Sequence, residues 1–290
     1  MPSLKDIKRR IKSVKNTQKI TKAMKMVSAA KLKRAQNEIN AARPYAEKIQ
    51  ELTQSLASKV SPDSHPLLSP RDGNRIAVVL MTSDRGLCGG FNGSLIRAAE
   101  RFIRENAEAE LSLYLLGKRG GEYFKRRANK IIKSRPIGGG RPSYAGAVDT
   151  AKELIDLFLK GELDEVHLIF SQFKSALSQH VVVQKILPIS ATQAEGEQIP
   201  AEEGVEAIFE PKREEVLAEL LPKYLEVQVF RSLLETSASE HGARMTSMDS
   251  ASKNAADMIG GLTLMYNRLR QAAITKELME IIGGAEALKG

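Results

Sequence analysis

The sequence predicts a mixed α/β protein. A long antiparallel coiled coil of N- and C-terminal helices flanks an inserted Rossmann-like α/β domain. Three observations carry this. Apolar residues recur at 3–4 spacing over both ends of the chain. The middle alternates short apolar runs with amphipathic stretches. Aromatic residues make up only 5% of the 290, with no Trp, which speaks against one large ring-filled core.

Residues 1–60 are expected to form the first helix. Leu4, Ile7, Ile11 and Val14 open an apolar seam. Ile20, Met24 and Val27 are expected to continue it, followed by Leu32, Ala35, Ile39, Ile49, Leu52 and Leu56. Lys5, Lys8, Lys12, Lys15, Lys19 and Lys22 keep the same rhythm one position later, as a basic stripe beside the seam. Pro44 removes one helical hydrogen bond, so a kink is expected near Arg43. Such a helix is roughly 80 Å long, more than a lone globular domain needs. Residues 61–73, "SPDSHPLLSPRDG", carry three prolines and are expected to be a linker.

Residues 74–211 form the predicted α/β domain. Strands are expected at "RIAVVLMTS", "ELSLYLLG", "EVHLIFSQF" and "HVVVQKILP", with "EAIFEP" as a further candidate. Helices are expected at "GSLIRAAERFIREN", "GGEYFKRRA" and "AVDTAKELIDLFLKG", with a turn region at "IGGGRPSYAG" before the last of these. From 212 to 290 the helical pattern returns. Its seam runs through Leu217, Leu221 and Tyr224, then Ala238, His241, Met245, Met248, Ser252, Ala255, Ile259, Leu262, Tyr266 and Leu269. Gly260–Gly261 weaken a helix interior and suggest close packing or bending there. Gly283–Gly284 are expected to stop the helix. Two seams at opposite ends of the chain are most economically paired with each other.

The net charge of +9 is unevenly placed. Residues 1–43 hold 13 Lys/Arg against Asp6 and Glu38, a net +11, and the remainder is nearly balanced. The basicity is a local device that points to an anionic partner: an acidic protein face, nucleic acid or a membrane surface. Residues 1–43 contain no aromatic residue on which bases would stack. No run of 18 apolar residues exists, and the N-terminus lacks a signal-type apolar stretch. The single Cys excludes an internal disulfide and fits a reducing compartment.

The stretch "TSDRGLCGGFNG" looks at first like the start of a nucleotide site. A phosphate loop, however, needs a Lys followed by Ser or Thr after its last glycine, and a dinucleotide site needs G-x-G-x-x-G. Neither spacing occurs here. Cys88 has Arg85 nearby but no His in the same strand–loop unit to act as a base, so a small buried thiol in a tight turn is expected. His65, His167, His180 and His241 are scattered and match no metal-binding spacing. No catalytic residues, metal ligands or cofactor are assigned.

Three separated motifs resemble one family. The opening "LKDIKRRIKSVKNTQKITKAMKMVSAAKL", the segment "TSDRGLCGGFN" and the tail "ITKELMEIIGGAEA" are similar to the gamma subunit of F-type ATP synthases. The tail carries Ile274, Thr275, Glu277, Glu280, Gly284, Ala285 and Ala287 at every fixed position of that family's C-terminal signature, and "GARMTSMDSASKNA" is similar too. The resemblance implies a non-catalytic central rotor shaft that couples ion-driven rotation of a c-ring to ATP synthesis or hydrolysis in a ring of alpha and beta subunits. The epsilon subunit would be a further partner. No cofactor and no nucleic acid are implied, and membrane association comes only through the complex. By the same resemblance, Lys22, Met24, Lys25, Arg85, Arg244, Arg270, Gln271 and Thr275 would contact the beta subunit. The apolar tail around Ile281 and Ile282 would turn in an apolar collar. The chain lacks the paired-cysteine insertion of the chloroplast type, and no transit peptide is read at its start. Together these imply a bacterial subunit on the cytoplasmic face of the plasma membrane.

Overall fold

The computed structural model describes residues 3–127, 130–138, 141–189 and 213–287. The chain falls into two compact units. One spans residues 29–244, and the other is made of residues up to Ser28 and from Met245 onward. Two helices supply both ends: α1, Leu4–Ala57, and α5, Arg213–Ala287. At 1.5 Å per residue their 54 and 75 residues correspond to about 81 and about 112 Å of helix. Helix α1 does not break at Pro44.

The larger unit holds a five-stranded sheet. Its strands are β1 (Arg75–Met81), β2 (Glu110–Leu116), β3 (Lys130–Arg135), β4 (Glu165–Phe173) and β5 (Gln179–Leu187), in the spatial order β3-β2-β1-β4-β5. All neighbours are parallel except the β4–β5 hairpin. The crossovers are α2 (Phe91–Glu105), α3 (Lys118–Phe124) and α4 (Tyr144–Leu159). The strand β3 has no counterpart among the sequence expectations. "KIIKSR" sets two adjacent Ile between charges, and as an edge strand it buries none of its residues.

Central β1 is almost wholly buried because both faces of a parallel sheet are covered. Its side chains alternate between two cores. Ile76, Val78 and Leu80 meet Leu95 and Ala99 of α2 and Phe124 of α3. Ala77, Val79 and Met81 belong to the other core, with Ala151, Leu154 and Phe158 of α4, Ile49 and Leu56 of α1, and Leu217 and Leu221 of α5. Leu67 and Leu68, from the proline-rich stretch, are buried in this second core, and Ile189 donates its N–H to the Leu67 carbonyl at 2.8 Å. Arg75 grips the buried Asp164 carboxylate through Nε and Nη2, both at 2.8 Å, and so clamps the start of β1 to the start of β4. This clamp holds the carboxyl below the ordinary carboxylate range.

Within this unit the two long helices run antiparallel. Lys31 lies close enough to Glu240 to act on its charge, while Ile39 and Ala46 line one cavity with Leu234 and Val227.

One sequence expectation is corrected in α5, and one alternative of another is removed. The helix runs through Gly283–Gly284 to Ala287 instead of stopping there. Two glycines cost about 2 kcal/mol relative to Ala in a helix interior, a penalty that a long flanking helix already nucleated on one side can carry. Around Gly260 and Gly261, an added Cβ would meet nothing within 4 Å, so these residues do not serve close packing within the chain. The candidate strand "EAIFEP" lies outside the described residues.

Gly260→Ala and Gly261→Ala are therefore each expected to stabilise the isolated chain, by up to about 1 kcal/mol. Thermal or denaturant unfolding of the two single variants checks this.

Candidate functional site

In the larger unit the informative place is the loop that leaves β1. Ser83 N donates to Asn92 Oδ1 at 2.9 Å, Ser83 Oγ donates to the Arg85 carbonyl at 2.6 Å, and Asn92 Nδ2 donates to Cys88 Sγ at 3.2 Å. Cys88 is buried. The Asp84 carboxylate accepts three backbone N–H groups, from Lys118 (3.1 Å), Ile137 (3.2 Å) and Gly138 (3.1 Å). One carboxylate thus ties the loops after β1, β2 and β3 together. Of Gly86, Gly89, Gly90 and Gly93 only Gly89 adopts a left-handed φ, at 58°. Leu87, with φ 62°, takes a left-handed conformation without that freedom, and its side chain is exposed.

Open α/β sheets take ligands outside the carboxyl ends of the strands, where the strand order reverses. Here that point lies between β1 and β4, and α5 is seated across it. Glu235 accepts the Phe173 N–H at 2.8 Å, and Ser239 Oγ donates to the Ser171 carbonyl at 3.1 Å. A Cβ at Gly242 would come within 3.3 Å of Phe173 and Ala176. Arg244 completes the seating. Its Nε donates to the Gly86 carbonyl and its Nη2 to the Arg85 carbonyl, each at 3.2 Å, and Nη2 also pairs with Glu240 at 2.6 Å. Arg244 is 8% exposed and Glu240 5%. Burial lifts the Glu240 carboxyl above the ordinary range, and the Arg244 guanidinium only partly offsets this. Arg244 is thus spent on its own chain. Of Arg85 the loop uses only the backbone carbonyl, and the residue is exposed.

The second unit pairs the start of α1 with the far part of α5. Lys25 Nζ meets Asp249 Oδ1 at 2.5 Å, and Lys253 takes the other oxygen at 3.0 Å. These lysines, Lys25 foremost, pull the Asp249 carboxyl below its usual range. Partnered in this way, Lys25 is not a free cation. The seam here departs from the expected one. Ile20 (59% exposed) and Val27 (57%) point outward, while Thr21 (8%) and Ser28 (3%) are buried. The heptad count explains this. Positions 4, 7, 11, 14, 18, 21, 25, 28 and 32 keep strict 3–4 spacing, and the middle of that series is Gln18, Thr21, Lys25 and Ser28. Leu52 is likewise exposed and Thr53 buried in its place. On α5 the buried or half-buried positions Met248, Ser252, Ala255, Ile259, Leu262, Tyr266 and Leu269 follow the expected seam. After Ala273 every residue through Ala285 is exposed, including Ile274, Leu278, Met279, Ile281 and Ile282. Lys22, Arg270, Gln271 and Thr275 are exposed, and Met24 is half-buried.

A family model described as ATP synthase matches residues 3–288. Curated relatives include the ATP synthase gamma chain of Geobacter metallireducens, 55% identical with the whole of both chains covered. That of Moorella thermoacetica is 47% identical with the same coverage. The chain belongs to the ATP synthase gamma-chain family. Among solved structures it is similar to a chain of the central stalk and c-ring part of the Tetrahymena thermophila mitochondrial ATP synthase. That match has 26% identity and a TM-score of 0.58, covering 80% of this chain and 99% of the other. A chain of the Euglena gracilis mitochondrial ATP synthase, 18% identical with a TM-score of 0.72 over 98% of this chain and 94% of that one, shares the fold.

Asp84, Asn92 and Glu240 have roles here that are not among the sequence expectations. Glu240 was open to discovery, since it stands one helical turn before Arg244 on the same face. The reach of Asp84 to two later loops depends on sheet order, and no local spacing reveals it.

Replacing Arg244 with Met leaves a buried carboxylate without its partner and is expected to cost about 3–5 kcal/mol. The Glu240 carboxyl is already raised in the folded state, so folding favours its neutral form. Stability in the variant is therefore fullest below pH 4.5, the ordinary Glu value, and falls as pH rises from there toward the folded pKa. Adding Glu240→Gln should flatten that slope, which urea unfolding at a series of pH values would show.

Proposed function

We propose that the chain is the central rotor shaft of an F-type ATP synthase. It would couple ion-driven rotation of a c-ring to synthesis or hydrolysis of ATP in the alpha/beta ring, with no catalytic residue of its own. The observation that supports this best is full-length similarity to gamma chains combined with a helix end, residues 274–285, that the chain itself leaves uncovered. The shaft would consist of residues 1–60 and 212–290 as an antiparallel coiled coil, with 61–73 as a linker and 74–211 as the α/β domain. Epsilon and the c-ring would be further partners. Among the described residues no helix is long and apolar enough to cross a membrane. Attachment would come through the complex, at the cytoplasmic face of a bacterial plasma membrane. No cofactor is required.

A shaft works through unequal contacts. Each angle of an asymmetric axle offers different surfaces to three chemically equivalent beta subunits, and those differences shift each between open and closed states. Reciprocity follows, so hydrolysis in the ring turns the same axle backwards. In this reading Lys22, Met24, Arg270, Gln271 and Thr275 offer contacts to beta, as does the side chain of Arg85. Ile20, Met26 and Val27, which face outward, add an apolar part to the same surface. Lys25 and Arg244 have a first duty inside the chain, to Asp249 and to the loop after β1.

Reconstitution with purified alpha and beta subunits tests the proposal directly. The chain should form a stable assembly with them and raise ATP hydrolysis. Removing 274–290 should abolish coupled synthesis in membranes that carry the whole enzyme. Arg270→Ala with Gln271→Ala should lower coupled turnover while moving the stability of the isolated chain by no more than about 0.5 kcal/mol per site. Failure to assemble with alpha and beta, or tight retention on DNA that the subunits do not relieve, would overturn this reading.

A further inference from the structure

The larger unit contains a cavity that neither the sheet nor the loop after β1 uses. It lies among α1, the start of α4 and α5, and its volume is about 220 Å³. Ala42 and Ala46 of α1 and Val227 and Leu234 of α5 line it. Phe230 forms one wall and meets Tyr144 edge-on, with centroids 5.4 Å apart and planes at 88°. Tyr144 gives its hydroxyl proton to Glu226 at 2.9 Å, so towards the cavity it presents ring, not a free donor.

The ionisable groups at the cavity divide unevenly. Glu235 is buried and already accepts the Phe173 N–H. Glu47 is exposed on α1. Arg43 and Arg231 line the cavity, both are exposed, and among the described residues neither is ion-paired to a carboxylate. With the exposed Tyr45 hydroxyl they are the hydrogen-bond donors at the cavity, and of these the guanidinium groups favour planar oxyanions and aromatic faces. An apolar cavity of about 150 Å³ holds benzene, whereas pockets for drug-sized ligands begin near about 300 Å³. The size therefore excludes a nucleotide and admits one or two fused rings or a short acyl chain.

We propose that this cavity binds a small aromatic or short-chain organic anion. Its apolar body would lie between Ala46, Val227 and Phe230, and its carboxylate or sulfonate would lie at Arg43 and Arg231. Such a ligand would bridge α1 and α5 and so favour the paired state of the two helices.

The chain has no Trp. Phe230→Trp therefore places a single reporter in the cavity wall of the full chain. The probe is 5-aminonaphthalene-1-sulfonate, with 1-naphthylamine as its neutral analogue. Expected is saturable one-to-one binding of the sulfonate with energy transfer from the introduced tryptophan. Arg43→Gln with Arg231→Gln should weaken the sulfonate about tenfold, the equivalent of about 1.4 kcal/mol, and leave the neutral analogue within about twofold. Ala42→Phe, which fills the cavity, should remove both. Melting curves establish that each variant is folded, and the surface Arg pair keeps the test decisive if Ala42→Phe does not fold. Sulfonate binding that ignores the Arg variants, or the absence of a saturable site on the folded chain, would overturn the proposal.

Discussion

The buried guanidinium of Arg244 is the contact on which the larger unit's arrangement turns. A helix of 75 residues that carries a seam along much of its length has many ways to lie on a sheet. Arg244 removes that freedom. Its fork reads two consecutive carbonyls, of Arg85 and Gly86, and its charge is matched one turn earlier by Glu240. Charge-assisted bonds of this kind are directional as well as strong. They fix both the position of α5 along its axis and its rotation about it. The cost is a carboxylate held where burial disfavours its charge.

The loop itself is stiffened from the other side. Asp84 takes N–H groups from Lys118, Ile137 and Gly138, so three loops move together or not at all. A glycine-rich turn at the carboxyl end of a central strand is where other α/β sheets hold phosphate. In this chain the same ground supports a helix, and the carbonyls that accept from Arg244 point toward a cation rather than cradle an anion.

Much of this was legible in the sequence, for identifiable reasons. The α5 seam is readable because Met248, Ile259, Leu262, Tyr266 and Leu269 sit at its heptad positions. Part of the α1 seam differs from the apolar pattern because heptad geometry and hydrophobicity disagree there. Gln18, Thr21, Lys25 and Ser28 hold the seam while Ile20, Met26 and Val27 lie outside it. A reader who follows apolar residues is drawn to the outward face, and only the count from Leu4 through Leu32 gives the inward one. Strand β3 escaped because an edge strand needs no apolar run. The partners of Arg244 could not be read at all in the case of the loop carbonyls, since backbone acceptors leave no trace in residue type.

The uncovered end of α5 has a thermodynamic side. Residues 274–285 bury nothing, and as a free peptide a segment of that length would be marginally helical in water. Here it is not free, because nucleation has been completed by the paired stretch before it, and each further residue needs only propagation. A partner that enclosed this end would meet a helix already formed. It need not supply the ordering free energy that a disordered tail would demand on binding. A contact of that sort can be shallow and smooth, made and broken repeatedly with little change in the conformational entropy of the chain.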